Sequence, residues 1–333
     1  EKKNHNIRAS FQTGFRNPST QDQYIGFNVG SAVLLGSAPD NLTRFSETFN
    51  LSAEGQAYSG GSVTKNMTGL DAYGNSYLAS SVSAFSAMAG SNPIAAAALL
   101  KKTRANYVKP EEVKAFELGY RSVFNGMSID LNGYYNIYNN FIGNLNVISP
   151  FYGTAQDNPN LVAGVTDSGV QSVRALQNGE YRVYQLYTNS DVEIHSLGFG
   201  VGLSKKVIAD FELGVNYNYA QFDFDQDKDP SFEAGFNTPK HRIKVSVGNE
   251  KLFKNFGFNI SGRWNSEYEW ESSFADGTIK SATVIDAQVN YGIPKLKSVV
   301  KLGAANIGGK EYYQVIGAGL IGQQYFVSWT INP

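Results

Sequence analysis

The chain runs to 333 residues with a formal charge of -1 and a pI near 6.4, a balance without the basic excess that a nucleic-acid partner favours. It has no Cys, which excludes a disulfide scaffold and thiol chemistry. No apolar run approaches the roughly 18 residues of a membrane-spanning helix; the longest, 93–100, is far too short. Only 17% of residues are charged and 13% are aromatic, with 20 Tyr, 21 Phe and 34 Gly, a composition of strands and turns.

The chain opens Glu1-Lys2-Lys3-Asn4, with no initiator Met and no signal-peptide core, and reads as a fragment or a processed chain. From there, period-two alternation predicts about ten strands, near 7–15, 113–124, 127–147, 182–206, 211–224, 241–250, 256–273, 278–291, 298–306 and 323–331. In 127–141 one face carries Met127, Ile129, Leu131, Tyr135, Ile137 and Phe141, and the other Ser128, Asp130, Asn132, Tyr134, Asn136 and Tyr138. In 197–203 Leu197, Phe199, Val201 and Leu203 oppose Gly198, Gly200 and Gly202. In 211–219 Phe211, Leu213, Val215, Tyr217 and Tyr219 oppose Glu212, Gly214, Asn216 and Asn218. In 256–270 Phe256, Phe258, Ile260, Trp264, Tyr268 and Trp270 oppose Asn259, Ser261, Arg263, Asn265 and Glu267.

A soluble sandwich also alternates, so three further features decide. The strands are longer than the roughly 5–6 residues usual in soluble sheets. Tyr and Trp crowd the ends of apolar faces, at Tyr217, Tyr219, Tyr268 and Trp270, as suits a membrane interface. The gaps also alternate: 125–126, 207–210, 251–255 and 292–297 are short, while 16–112, 148–181, 225–240 and 307–322 are long and 274–277 is intermediate. Outer-membrane barrels have short periplasmic turns and long extracellular loops. The reading is an all-β, antiparallel transmembrane β-barrel in a bacterial outer membrane, with long extracellular loops, 16–112 the largest, and a periplasmic C-terminus. Its lipid face would meet membrane lipids and lipopolysaccharide. The last strand, with Tyr325, Val327, Trp329 and Ile331 on one face, is similar to the amphipathic terminal strand of such barrels, although Asn332-Pro333 replaces the commoner aromatic end.

Three stretches resemble the TonB-dependent outer-membrane receptors. Residues 7–19, Ile-Arg-Ala-Ser-Phe-Gln-Thr-Gly-Phe-Arg-Asn-Pro-Ser, look like the family's R-A-S-x-x-T-G-F-R-x-P-S strand. Pro110, Glu111, Glu117, Gly119 and Arg121 are similar to its P-E-x-x-x-x-x-E-x-G-x-(K/R) segment. Residues 306–313, Asn-Ile-Gly-Gly-Lys-Glu-Tyr-Tyr, resemble its N-L-F-(N/D)-K-x-Y motif, with Gly308 and Gly309 replacing Phe and Asn or Asp. The resemblance implies a 22-stranded barrel with an N-terminal plug, of which this chain supplies the C-terminal ten strands or so. It also implies energised import of a scarce siderophore, cobalamin, glycan or peptide, with the plug and TonB as partners. Two other readings stay open: a receptor-like barrel serving as a docking subunit of an outer-membrane complex, and a passive porin.

Enzymatic chemistry and resident cofactors find no support in the sequence. His5, His195 and His241 are scattered, without metal-ligand spacing or a nucleophile–base pattern. Asp223, Asp225, Asp227 and Asp229 alternate, but Pro230 and Phe236 stand where a calcium loop needs Gly and Glu, so a solvated acidic loop is the reading. Glu117 and Arg121 share a strand face and read as an ion pair inside the wall. The Ala-rich run 93–102 predicts a short helix, either stiffening its loop or contacting an extracellular lipoprotein partner. Lys205, Lys206, Lys251, Lys254, Lys295 and Lys297 sit on the short turns as solubilising charge. By face parity alone, Tyr134, Asn136, Tyr138, Arg263 and Asn265 are the candidate substrate contacts of the lumen.

Overall fold

Asn125 and Gly126 take φ of 48° and 70°, the paired positive values of a two-residue hairpin turn whose twist matches its strands. That hairpin sits within one antiparallel sheet of ten strands. In chain order they are β1 (Asn4–Arg16), β2 (Glu111–Phe124), β3 (Met127–Asn139), β4 (Ile194–Lys206) and β5 (Glu212–Asp223). Then follow β6 (His241–Phe253), β7 (Phe256–Asn265), β8 (Ala282–Ile293), β9 (Ser298–Ala305) and β10 (Gln324–Ile331). Each strand pairs with the next in this series, and among the described residues β1 and β10 do not pair with each other, so the sheet is open. The computed structural model describes residues 4–161, 166–233, 235–272 and 275–331; the opening Glu1–Lys3 and the final Asn332-Pro333 lie outside them.

Register keeps the two faces chemically separate across the sheet. Phe11 lies opposite Phe116, Phe116 opposite Tyr135 and Tyr135 opposite Leu197. Further along, Val215 faces Val245, Ile260 faces Ala287, and Leu302 faces Val327. A slip of one residue would move every one of these side chains to the wrong face. The apolar face has no protein cover: Ile7 is 75% exposed, Leu118 61% and Val327 74%. Among the described residues the ten strands add only Ala115, Ile194 and Val284 to the buried apolar set. This inverts the usual order of a water-soluble domain.

The buried core lies instead in the long connections, which fold into a crown at one end of the wall. Its six-stranded sheet runs Phe232–Glu233, Ile142–Pro150, Tyr181–Asn189, Val33–Leu35 and Gly26–Asn28, with Tyr77–Leu78 also on Ile142–Pro150. Val33–Leu35 pairs in parallel with Tyr181–Asn189, which joins two connections distant in sequence. Val33, Leu35, Tyr184 and Leu186 are fully buried there, packed with Leu42, Met67 and Phe232. A second cluster gathers Tyr77, Val82, Phe85, Ala96, Leu100 and Val173. The residues 16–112 therefore share their sheet and core with the next connection.

Helix Ser168–Gln177 illustrates how the crown is specified. Asp167 caps it by accepting from the Val170 amide at 2.9 Å. Gly179, at φ 71°, ends it, with Gly179 N–H bonded to Leu176 O and Glu180 N–H to Ala175 O, a Schellman closure. Val170, Val173 and Leu176 form its buried stripe.

Four predicted strands are corrected; the predicted 278–291 divides into Gly277–Ile279, which leaves the wall, and β8, which begins at Ala282. The stretch 127–147 is two strands: β3 ends at Asn139, Asn140 turns at φ 54°, and Ile142–Pro150 belongs to the crown. Likewise 182–206 divides into Tyr181–Asn189 of the crown and β4. The stretch 256–273 ends in the wall at Asn265; Tyr268–Trp270 pairs with Gly277–Ile279 as a separate ribbon, and Ser273 lies outside the described residues. Alternation continues across the breaks after Asn139 and Asn265, so hydropathy alone carries no sign of them, whereas the polar run Asn189-Ser190-Asp191 and the change of apolar parity from Val192 and Ile194 to Leu197 and Phe199 do mark the division of 182–206.

Candidate functional site

The two ends of the apolar face carry rings and imidazoles in contact. Near the short turns His5 Nδ1 lies 2.8 Å from the Tyr120 hydroxyl, and Phe253 stacks on Phe256 with centroids 4.9 Å apart. Toward the crown, His195 Nδ1 is 2.7 Å from Tyr135 Oη and His241 Nδ1 2.9 Å from Tyr217 Oη. Phe199 and Tyr219 stack beside them at 5.2 Å. All three histidines are thus engaged with tyrosines, and no three His, Asp or Glu side chains converge on a metal position among the described residues. Tyr217 and Tyr219 stand in this upper ring, whereas Tyr268 and Trp270, predicted with them, stand on the ribbon.

The opposite face is polar and concave. Glycines shape it by admitting neighbouring side chains. A Cβ on Gly198 would fall 2.3 Å from Tyr134 Cζ, so the Tyr134 ring lies across β4 only because position 198 has no side chain. Asn132 and Asn218 approach Gly200 from either side in the same way. Toward the short turns this face encloses a groove of 730 Å³ lined by groups such as Asp130, Lys206, Glu212, Asn259 and Gln288.

Toward the crown it opens into a recess of 560 Å³. Its floor is Arg242 and Lys244 of β6 with Arg263 and Asn265 of β7; Tyr268 and Trp270 form one wall, and Tyr312, Tyr313 and Gln314 another. The walls are held in place. Tyr268 donates to Gln314 O at 3.3 Å, and Tyr312 exchanges backbone bonds with Ile321. The ribbon is tied to the preceding loop by Asn237, whose amide gives to Glu271 O and takes from Glu271 N at 2.9 and 2.8 Å. Burial pushes the Tyr268 phenol above its ordinary pKa, with Arg242 opposing, so it stays a neutral donor.

Of the five residues predicted from parity, Arg263 and Asn265 line this recess. Tyr134 lines an adjoining cavity of 480 Å³, which shares Asn218 and Arg242 with the recess. Asn136 and Tyr138 stand apart: Asn136 Nδ2 donates to Tyr138 Oη at 3.2 Å and Ser196 Oγ at 3.1 Å. Arg242 and Lys244 escaped the sequence reading, though the same parity applied to β6 marks them; Tyr268 and Trp270, expected at the membrane interface, and Tyr312 and Tyr313, read as motif positions, line the recess instead. The expected Glu117–Arg121 pair is corrected. Arg121 Nε donates to Asp130 at 2.8 Å, across the hairpin, and Glu117 takes a bond from Ser10 Oγ at 3.4 Å. Cross-strand neighbours are closer than residues four apart on one strand.

The remaining sequence features resolve into structure. The Ala-rich run forms helix Pro93–Ala97, capped by Asn92, with Ala96 and Ala97 fully buried in the crown. The alternating aspartates do not converge: Asp225 pairs with Lys228 at 2.9 Å and Asp229 accepts from Ser190 at 3.1 Å.

Comparison with known proteins places these features in a family. No curated protein matches the chain. Among solved structures, the FrpB iron transporter from Neisseria meningitidis is similar at 13% identity and TM-score 0.46, over 68% of this chain and 31% of that one. The siderophore receptor PirA from Acinetobacter baumannii is similar at 15% identity and TM-score 0.44, over 67% and 32%. The copper transporter OprC is similar at 13% identity and TM-score 0.45, over 67% and 31%. The chain thus spans about a third of the length of these proteins. The model of the TonB dependent receptor-like β-barrel family matches residues 2–307, nearly the whole chain, and the chain belongs to that family.

Proposed function

We propose that this chain forms the C-terminal wall and crown of a 22-stranded bacterial outer-membrane receptor, which imports a scarce ligand into the periplasm with energy drawn through TonB. The observation that carries the reading is the two-faced open sheet. Its apolar face is bare of protein, its polar face is concave, and its outermost strands β1 and β10 keep free edges that further strands would pair. From Met127 to Tyr135 the apolar face extends about 26 Å along β3, or roughly 20 Å after the usual strand tilt, close to the apolar belt of such barrels. Short connections at one end and the crown at the other support a periplasmic C-terminus and an extracellular crown. The lumen would hold the plug, the lipid face would meet lipids and lipopolysaccharide, and the ligand would belong to the family's range of siderophores, cobalamins, glycans or peptides.

The test is the intact mass and N-terminal sequence of the mature protein, followed by ligand uptake in energised and de-energised cells. A plug upstream and uptake that stops on de-energising are expected. Conductance without an energy source would indicate a passive porin, and a stable complex without any uptake would indicate a docking subunit; either would overturn the import reading.

A further inference from the structure

We propose that the recess beneath the crown is a binding site for an acidic saccharide, one carrying carboxylate or sulfate groups on hydroxyl-rich rings. The inference deepens the import reading above and rests on it. Charge comes first. On adjacent strands Arg242 stands opposite Asn265, and Lys244 directly opposite Arg263. Like charges so paired weaken a sheet, so stability does not explain them. Among the described residues the one acid within 4.0 Å of these three cations is Asp286, 3.6 Å from Arg263, and no Asp or Glu lines the recess. Three positive groups against one carboxylate leave a surplus of two, in a concavity that focuses its field on an anion.

The rest of the lining narrows the class. Tyr268, Trp270, Tyr312 and Tyr313 offer flat apolar faces of the kind that stack on rings, and Tyr312 and Tyr313 add hydroxyls as polar handles. Asn218, Asn265 and Gln314 add amides, each both donor and acceptor, which is the requirement for reading hydroxyls. A purely aromatic anion such as a catecholate would use the cations and rings but leave the amides idle. The volume of 560 Å³ lies within the roughly 300–1,000 Å³ of small-ligand pockets and has room for a short oligosaccharide.

The full-length receptor in detergent is screened on an array of uronate-bearing, sulfated and neutral oligosaccharides, with a ferric tris-catecholate complex as a separate probe. The best acidic glycan is then titrated against wild type, the double variant Arg242→Gln/Lys244→Gln, and Tyr313→Ala. Retention of acidic glycans at least tenfold above neutral ones is expected. The double variant should lose at least tenfold of that binding, and its loss should shrink as salt rises; Tyr313→Ala should weaken acidic and neutral glycans alike. Unchanged heat-modifiable migration establishes that each variant is folded. Three results each overturn the proposal: no acidic glycan retained, neutral glycans held equally well, or acidic binding untouched by the double variant. Energised uptake in cells is scored separately. A catecholate or neutral glycan that is bound and imported would sink the saccharide assignment and leave import standing, whereas an acidic glycan bound without energised uptake would do the reverse.

Discussion

Glu180 is the most informative single perturbation in the crown. The Schellman closure after helix Ser168–Gln177 delivers its carboxylate to Ser52, whose amide and hydroxyl both donate to it at 2.7 Å; Tyr152 Oη donates at 2.9 Å. Burial works to raise its pKa, but the bonds from Ser52, Tyr152 and Asn178 outweigh burial and hold it below the usual carboxylate range. Hydrogen bonds to a charged group contribute about 1.5–3 kcal/mol each. The three share one carboxylate and do not add in full. Glu180→Ala, which also strands three donors, should cost the crown about 3–5 kcal/mol, a roughly hundred- to several-thousand-fold rise in local opening. Glu180→Gln keeps an acceptor and should cost about 1–2 kcal/mol. The assay is hydrogen exchange at the Ser52 and Gly55 amides of the full receptor. Because the folded pKa lies below the ordinary 4.5, the contribution is fully present above that value and is lost as pH falls through the folded pKa. Exchange at Ser52 should therefore accelerate in acid in wild type and show no such step in Glu180→Gln. A change of less than about fivefold in Glu180→Ala would refute the reasoning.

Other predictions follow from the same geometry. Gly198→Ala places a methyl 2.3 Å from Tyr134 Cζ and must expel that ring, at a cost of about 1–3 kcal/mol in denaturant unfolding of the full receptor. Val245→Arg, on the bare apolar face, should cost about 2–4 kcal/mol in lipid vesicles, while Ser246→Arg on the polar face should cost far less; equal costs would reverse the assignment of the faces. Burial raises the pKa of Glu233, against bonds from Asn146 and Gln185, so its ionised form is a cost that is full above the folded pKa and gone below the ordinary 4.5. Glu233→Gln should accordingly leave the crown equally stable or up to about 1 kcal/mol more stable at pH 7, with a flatter acid profile in hydrogen exchange.

The wall was legible because its chemistry is binary. Each strand residue meets lipid or water, so Leu197, Phe199, Val201 and Leu203 against Gly198, Gly200 and Gly202 define a face without knowledge of any neighbour. The crown was not, because its pairings are long-range and its elements short. Val33–Leu35 is three residues, paired on one side with the equally short Gly26–Asn28 and on the other, in parallel, with Tyr181–Asn189 far along the chain. The recess lies between these cases: parity found Arg263 and Asn265, but Tyr312 and Tyr313 enter it through a loop whose path no period describes. The departures from the family pattern at 308 and 309 have a local cause, since Gly308 sits at φ 61° and a Cβ on Gly309 would fall on Asn306 Oδ1. The other two motifs prove to be joints once folded. Arg8 of the first stands directly opposite Gly119 of the second, with its guanidinium lying over that position. Arg16 of the first donates at 3.0 Å to Glu111 of the second, and the same buried carboxylate takes the Ile142 amide at 3.1 Å where the crown sheet begins. Glu111 thus ties the end of β1, the start of β2 and the root of the crown at one point. Two of the three stretches that carry the family resemblance are, in space, the fastening between the membrane wall and the folded loops above it.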